Sequence, residues 1–103
     1  MKIYYIDKSN IHGKGIFSKK IINKNMIINK GIIFNYIFIP FITPYFGSLI
    51  NHSTNSNCIL KYDYENRVYN VCSIKKIKKN TEITLNYNNL PWFCSGPEQN
   101  WTN

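Results

Sequence analysis

Arginine occurs once in this 103-residue chain, alanine not at all, and only 5 residues are acidic. Cysteine is scarce too: Cys58, Cys72 and Cys94 are odd in number and have no close spacing. That pattern argues against a disulfide scaffold and for reduced thiols in an intracellular setting, cytoplasmic or nuclear. With His52 the cysteines form no recognised zinc spacing, so no metal is expected. Long apolar runs are missing as well. The longest, Ile32 to Ile42, is broken by Asn35 and Pro40 and is too short to span a bilayer, so no membrane partner is expected. Asp7 and Lys8 interrupt the first apolar residues, which argues against a secretory signal. The sequons Asn51-His52-Ser53 and Asn100-Trp101-Thr102 are therefore read as chance. No stretch carries a long helical period.

What is present is isoleucine, asparagine and lysine, with 18, 16 and 12 copies, the bias of an AT-rich coding sequence. Aromatic residues make up 16% of the chain, enough apolar mass for a core and too much for a disordered segment. The net charge is +8, but the lysines are spread along the chain, and only Lys75 to Lys79 form a dense group. A solvated surface accounts for such a spread, and nucleic acid is not expected as the partner.

The pattern is mostly β, in one domain without repeats or linkers. Strands are expected at Lys2–Ile6, from Ile16, at Met26–Ile28 and at Ile32–Ile39, with turns at Gly13-Lys14-Gly15 and Asn29-Lys30-Gly31. Pro40 and Pro44 should break regular structure. Cys58–Tyr64 and Arg67–Ile74 read as a hairpin around Glu65-Asn66, Glu82–Tyr87 as a last strand, and Phe46–Ile50 as one helical turn.

Three local features carry chemistry. In His12-Gly13-Lys14-Gly15 the glycines let a ligand reach bare backbone. Asn51-His52-Ser53, followed by Asn57-Cys58, offers amide, imidazole and backbone groups to a polar ligand. Glu82-Ile83-Thr84-Leu85-Asn86-Tyr87 ends a strand on a tyrosine. Each alone is ordinary: a turn, a capped loop and a strand.

In this order and at these separations the three resemble the SET domain of protein lysine methyltransferases, over about residues 10 to 92. The chain is most similar to the minimal, viral-type SET domains, and with Cys94 as the one tail cysteine no zinc-binding post-SET module is expected. The resemblance implies a SET fold, in which short curved β-sheets surround a pseudoknot-like threaded C-terminal segment, an exception to the rule against threading. It implies a protein-lysine N-methyltransferase that moves a methyl group from S-adenosylmethionine to a lysine ε-amine of a histone or another protein. The setting would be intracellular, a virus-infected host cell included. By the same resemblance the backbone at His12 and Lys14 would contact the methionine part of the cofactor, and Asn51 would hold its polar end. The His52 main chain would read the adenine. Tyr87 would be the catalytic channel tyrosine, also contacting the cofactor near its sulfonium and the amine, and Trp92 a tail aromatic on the cofactor pocket. Tyr36, Tyr45, Phe46 and Phe93 are further aromatics that could line it, with core packing as the alternative.

Two departures matter. Between Gly31 and Asn51 the chain is short where the family carries a wall of its substrate groove, which keeps a second reading open: a catalytically inactive SET-fold binding or structural module. The charge of +8 also opposes encounter with a strongly basic histone tail. The apolar Ile32 to Phe46 stretch makes a homodimer a candidate assembly.

Overall fold

A computed structural model describes residues 2–34 and 39–91. It contains eight strands: β1 (Tyr4–Lys8), β2 (Lys14–Ser18), β3 (Ile27–Phe34), β4 (Pro40–Ile42), β5 (Asn51–His52), β6 (Cys58–Asp63), β7 (Val68–Ser73) and β8 (Glu82–Leu85). Single 3₁₀ turns lie at Gly47–Leu49 and Tyr87–Asn89. The strands form two four-stranded sheets, ordered β1-β2-β8-β5 and β4-β3-β7-β6. The mostly β architecture of short sheets is as the sequence indicates. The chain that follows residue 91, at the end of the segment expected to thread, lies outside the described residues.

The β6–β7 hairpin forms around Glu65-Asn66 as the sequence indicates, with Asp63 opposite Val68. Asp63 closes the turn by accepting from the backbone N–H groups of Glu65 and Asn66 at 3.0 and 3.2 Å. Arg67 takes the left-handed conformation that the tight return needs, φ 54°.

Three expectations are corrected. Asn29-Lys30-Gly31 is no turn: β3 runs through it, and the residues the pattern could not fit are absorbed as register shifts against β7. Pro40 does not end a strand but begins β4, which lies at the sheet edge, where its missing N–H costs no ladder bond. Gly13-Lys14-Gly15 is not the turn itself: the turn closes at Gly13, and Lys14 and Gly15 already belong to β2.

Both sheets feed one core. Tyr4, Ile16, Ile83 and Leu85 come from the first sheet, Ile28, Cys58 and Val71 from the second, and Phe46 and Ile50 from the connection between them. Phe46, 2% exposed, packs its ring on Tyr4 at 4.6 Å, so it is a core residue rather than a pocket aromatic. Truncating such a buried ring costs about 3–5 kcal/mol. Ile22 and Ile77 form a two-bond antiparallel bridge at 2.9 and 2.8 Å that ties the long loops together. Ser18, fully buried, accepts from the Thr81 N–H at 2.9 Å and donates to the Lys78 carbonyl at 2.6 Å. The Lys75–Lys79 group is thus the solvated outside of a loop fastened from beneath. All twelve lysines are exposed. Among the described residues no helix is long and apolar enough to cross a membrane.

Candidate functional site

The loop between β1 and β2 is organised by one hydroxyl. Ser9 Oγ accepts from the N–H groups of Ile11 (2.9 Å) and His12 (3.4 Å), and the Ser9 N–H donates to the Gly13 carbonyl at 2.8 Å. This is a serine turn, the side chain standing in for backbone. Gly13 closes it at φ 49°, a conformation that a side chain would strain, and a Cβ there would meet nothing within 4 Å. The loop is therefore open on that side, and its His12 and Lys14 carbonyls are left directed inward.

They converge on Asn51. This residue begins β5, a two-residue strand paired in parallel with β8, Asn51 opposite Thr84 and His52 opposite Leu85. Its side chain is nearly buried, and Nδ2 donates toward four oxygens: His12 O (3.1 Å), Lys14 O (3.2 Å), Ser9 Oγ (3.1 Å) and Glu82 Oε2 (2.9 Å). Ser9 in turn donates to the Glu82 carboxylate, with both oxygens 2.8 Å away. Gly15 makes room for that carboxylate, since a Cβ would collide with Glu82 Oε2. Among the described residues no cation pairs with Glu82.

His52 uses its two halves differently. Ser53 N–H donates to Leu85 O at 3.0 Å, so by the alternation of a parallel ladder the His52 N–H and C=O face away from β8. β5 is an edge strand, so these two groups line a free edge. The His52 ring turns the other way. Its Nδ1 accepts from the Tyr87 N–H at 3.0 Å, and its centroid lies 5.1 Å from that of the Tyr87 ring. The Tyr87 hydroxyl donates to the Ile50 carbonyl at 2.5 Å. Burial pushes the Tyr87 phenol above its ordinary pKa, so it is a neutral hydroxyl near neutral pH. Consecutive residues Ile50, Asn51 and His52 therefore join the Tyr87 turn to the β1–β2 loop. Beside that turn lies a cavity of about 230 Å³ whose lining includes Cys58, Leu60, Leu85, Asn86 and Asn89.

Of the residues singled out in the sequence, His12, Lys14, Asn51, His52 and Tyr87 are brought together. Asn57, quoted as a possible ligand group, serves the fold instead. Its Nδ2 donates to Glu82 O at 2.8 Å and its Oδ1 accepts from Thr84 N at 2.9 Å, so it replaces a missing strand beside β8. Tyr45 is exposed at 77%. Trp92, Tyr36 and Phe93 lie outside the described residues. The sequence reading missed Ser9 and gave Glu82 no role of its own. The signal for Glu82 was present: it is the lone acid between Glu65 and Glu98 in a basic chain, and it opens the strand that leads to Tyr87.

Comparison with known proteins follows the same lines. The SET domain family model matches residues 26–88, more than half of the chain. No curated protein sequence matches. Among solved structures, a candidate histone methyltransferase of Plasmodium falciparum superposes with a TM-score of 0.70 at 26% identity, covering 90% of this chain and 98% of that one. A humanized mutant of the Chaetomium thermophilum Polycomb Repressive Complex 2, bound to an inhibitor, superposes with a TM-score of 0.69 at 19% identity. That match covers 87% of this chain and 15% of the other, and speaks for the fold alone. The family match begins after the β1–β2 loop, so the closure of that loop onto Asn51 is an independent observation from the structure.

Proposed function

The chain belongs to the SET-domain family, and from that premise we propose that it is a protein-lysine N-methyltransferase using S-adenosylmethionine. The observation that supports this most is the convergence of the His12 and Lys14 carbonyls on the Asn51 amide, each within hydrogen-bond distance of Nδ2. The donor set fits the cofactor. Carbonyl and carboxylate oxygens gathered at one point suit the ammonium of an amino acid, and the open side of Gly13 leaves the loop backbone accessible. The free-edge N–H and C=O of His52 suit the complementary acceptor and donor of an adenine. When bound, the cofactor supplies a methyl group on a positively charged sulfur.

The residues of this chain would align and desolvate. Alignment of two reactants can supply roughly 7–11 kcal/mol of a barrier. A lysine amine ordinarily titrates near 10.4 and must be neutral to react. Burial beside aromatic rings favours that neutral form. Tyr87 cannot be the base that removes the proton, because it is itself a neutral phenol. Its proton is donated to Ile50 O, so toward an amine the hydroxyl oxygen would act as an acceptor that orients it. The aromatic wall of His52 and Tyr87 suits a cation by about 1–2 kcal/mol once water is excluded.

The protein substrate would be intracellular, with its target lysine on a segment less basic than a histone tail. A homodimer would cover the exposed Ile33, Ile39, Phe41, Ile42 and Tyr45 around β4, whereas Ile32 and Phe46 are already spent on the core of the chain itself. A sedimenting mass of one chain at tens of micromolar would remove that assembly.

The test of the function is calorimetric titration with S-adenosylmethionine and S-adenosylhomocysteine. Saturable binding is expected, weakened at least tenfold by Asn51→Ala, with methyl transfer to lysine in a protein mixture. A folded protein that binds neither compound would leave the SET fold and move the function to the binding or structural module.

A further inference from the structure

We propose that Glu82 is a positioning residue for the cofactor site: it fixes the Asn51 amide with Nδ2 inward and Oδ1 outward, so that Oδ1 is presented to the cofactor's ammonium. The proposal rests on the cofactor reading above and adds to it the group that sets the site's polarity.

An asparagine amide is nearly symmetric in shape, and which end points where is decided by its neighbours. Around Asn51 the neighbours are one-sided. Two carbonyls, a carboxylate and a hydroxyl oxygen lie 2.9–3.2 Å from Nδ2. The hydroxyl could have been a donor and would then have welcomed Oδ1. It is not free to be one, because Ser9 gives its proton to Glu82. The carboxylate thus acts twice: it accepts from Asn51 directly, and it turns Ser9 into an acceptor for the same amide. A flipped amide would set Oδ1 against four oxygens, the carboxylate included. Among the described residues Asn51 Oδ1 has no partner, and no buried side-chain oxygen there lacks one, so Oδ1 is not buried among them. An acceptor held outward beside the His12 and Lys14 carbonyls is what an incoming ammonium needs. Two amide protons among four oxygens also leave these carbonyls capacity for a further donor.

Glu82 does not replace a structural ion pair, since no cation among the described residues meets it. The space for it is provided by Gly15, where any side chain would displace the carboxylate. A carboxylate set between a serine and an asparagine, in a chain with 13 basic residues, is an arrangement that neutral packing alone does not require.

The test uses two probes. S-adenosylhomocysteine carries the amino-acid ammonium; 5′-methylthioadenosine lacks the amino-acid end and keeps the adenosine. Glu82→Gln should weaken the first by about tenfold, the scale of one hydrogen bond to a charged group, and leave the second unchanged. In an Asn51→Ala background, Glu82→Gln should have no further effect on S-adenosylhomocysteine, because the residue acts through Asn51. Equal loss of both probes, additive effects in the double variant, or unchanged S-adenosylhomocysteine binding would each overturn the proposal. A ligand-free readout separates this from the cofactor reading. The Asn51 side-chain amide protons should exchange slowly with solvent in the wild type and at least tenfold faster in Glu82→Gln. If the wild type binds neither probe, the cofactor reading falls together with the ligand half of the proposal. The exchange rates then decide the orientation alone: fast exchange in the wild type overturns it, and slow exchange sustains it.

Discussion

Tyr87 is the residue at which chemistry and packing meet. Its hydroxyl is bonded to Ile50 O, its N–H to His52, and its ring to the His52 ring. Tyr87→Phe removes one hydrogen bond and keeps the ring. Stability should fall by about 1 kcal/mol, since the Ile50 carbonyl loses its donor. S-adenosylhomocysteine affinity should change less than threefold, because the ring that would face the cofactor is kept and the lost hydroxyl is bonded to Ile50 O. Methyl transfer should fall by about a hundredfold, the scale seen when one orienting group is removed from a transition state. Transfer within fivefold of wild type would take Tyr87 out of the mechanism. At this scale much was legible in the sequence. Asn51, His52 and Tyr87 stand in motifs whose order is informative, and His12 and Lys14 flank a glycine that only a turn explains. Ser9 and Glu82 were not legible, because their role exists only once β2 and β8 lie side by side, with Phe17 opposite Glu82. The Gly15–Glu82 fit is a property of that register and leaves no trace in either local sequence.

At the scale of elements, β8 is the hinge of the site. One face of the strand pairs with β2, the other with the two residues of β5, and the remaining backbone is met by Asn57. The hairpin β6–β7 was readable because two arms of six residues flank the polar Glu65-Asn66 turn. β5 was not, since two residues hold no period, and Asn-His-Ser reads as the start of a loop. β4 was hidden by Pro40, whose strand-breaking character is lost at an edge. The side-chain clasp of Asn57 was equally invisible, because only a structure reveals that a strand's neighbour is an amide. Asn57→Ala should therefore act like the removal of a strand end. It leaves Glu82 C=O and Thr84 N–H unmet in a half-buried place, at about 2 kcal/mol in total. Urea denaturation should move to a lower midpoint with an unchanged slope. Because β8 also carries Glu82, S-adenosylhomocysteine binding should weaken in the same variant. A destabilisation below about 0.5 kcal/mol would mean that β8 is held by β2 and β5 alone.

The whole molecule is a basic shell on an apolar core that also contains protonated thiols and a phenol. Cys58 and Cys72 are free and buried, and burial pushes the Cys58 thiol up from about 9 to about 12, with Cys72 contributing in the same direction. The Cys72 thiol and the Tyr87 phenol are also raised, again chiefly by burial. All three shifts have one sign: the folded chain holds protons that the unfolded chain gives up more easily. Their stabilisation is complete below about pH 9, where both states are protonated. Above that the unfolded thiols ionise while the folded ones do not, and stability declines with rising pH. For Cys58 the decline continues until the folded thiol ionises near 12. Each group contributes a slope of up to about 1.4 kcal/mol per pH unit. Urea midpoints should accordingly be level between pH 7 and 8 and fall from pH 9 upward, with the ultraviolet thiolate absorbance of Cys58 appearing only as the chain unfolds. Cys58→Ala lowers stability at every pH by leaving a small cavity, but it should flatten the alkaline slope by close to one proton. The slope is the decisive reading, because a cavity cannot change it. An unaltered slope in Cys58→Ala would take Cys58 out of the alkaline loss and leave it to Cys72 and Tyr87.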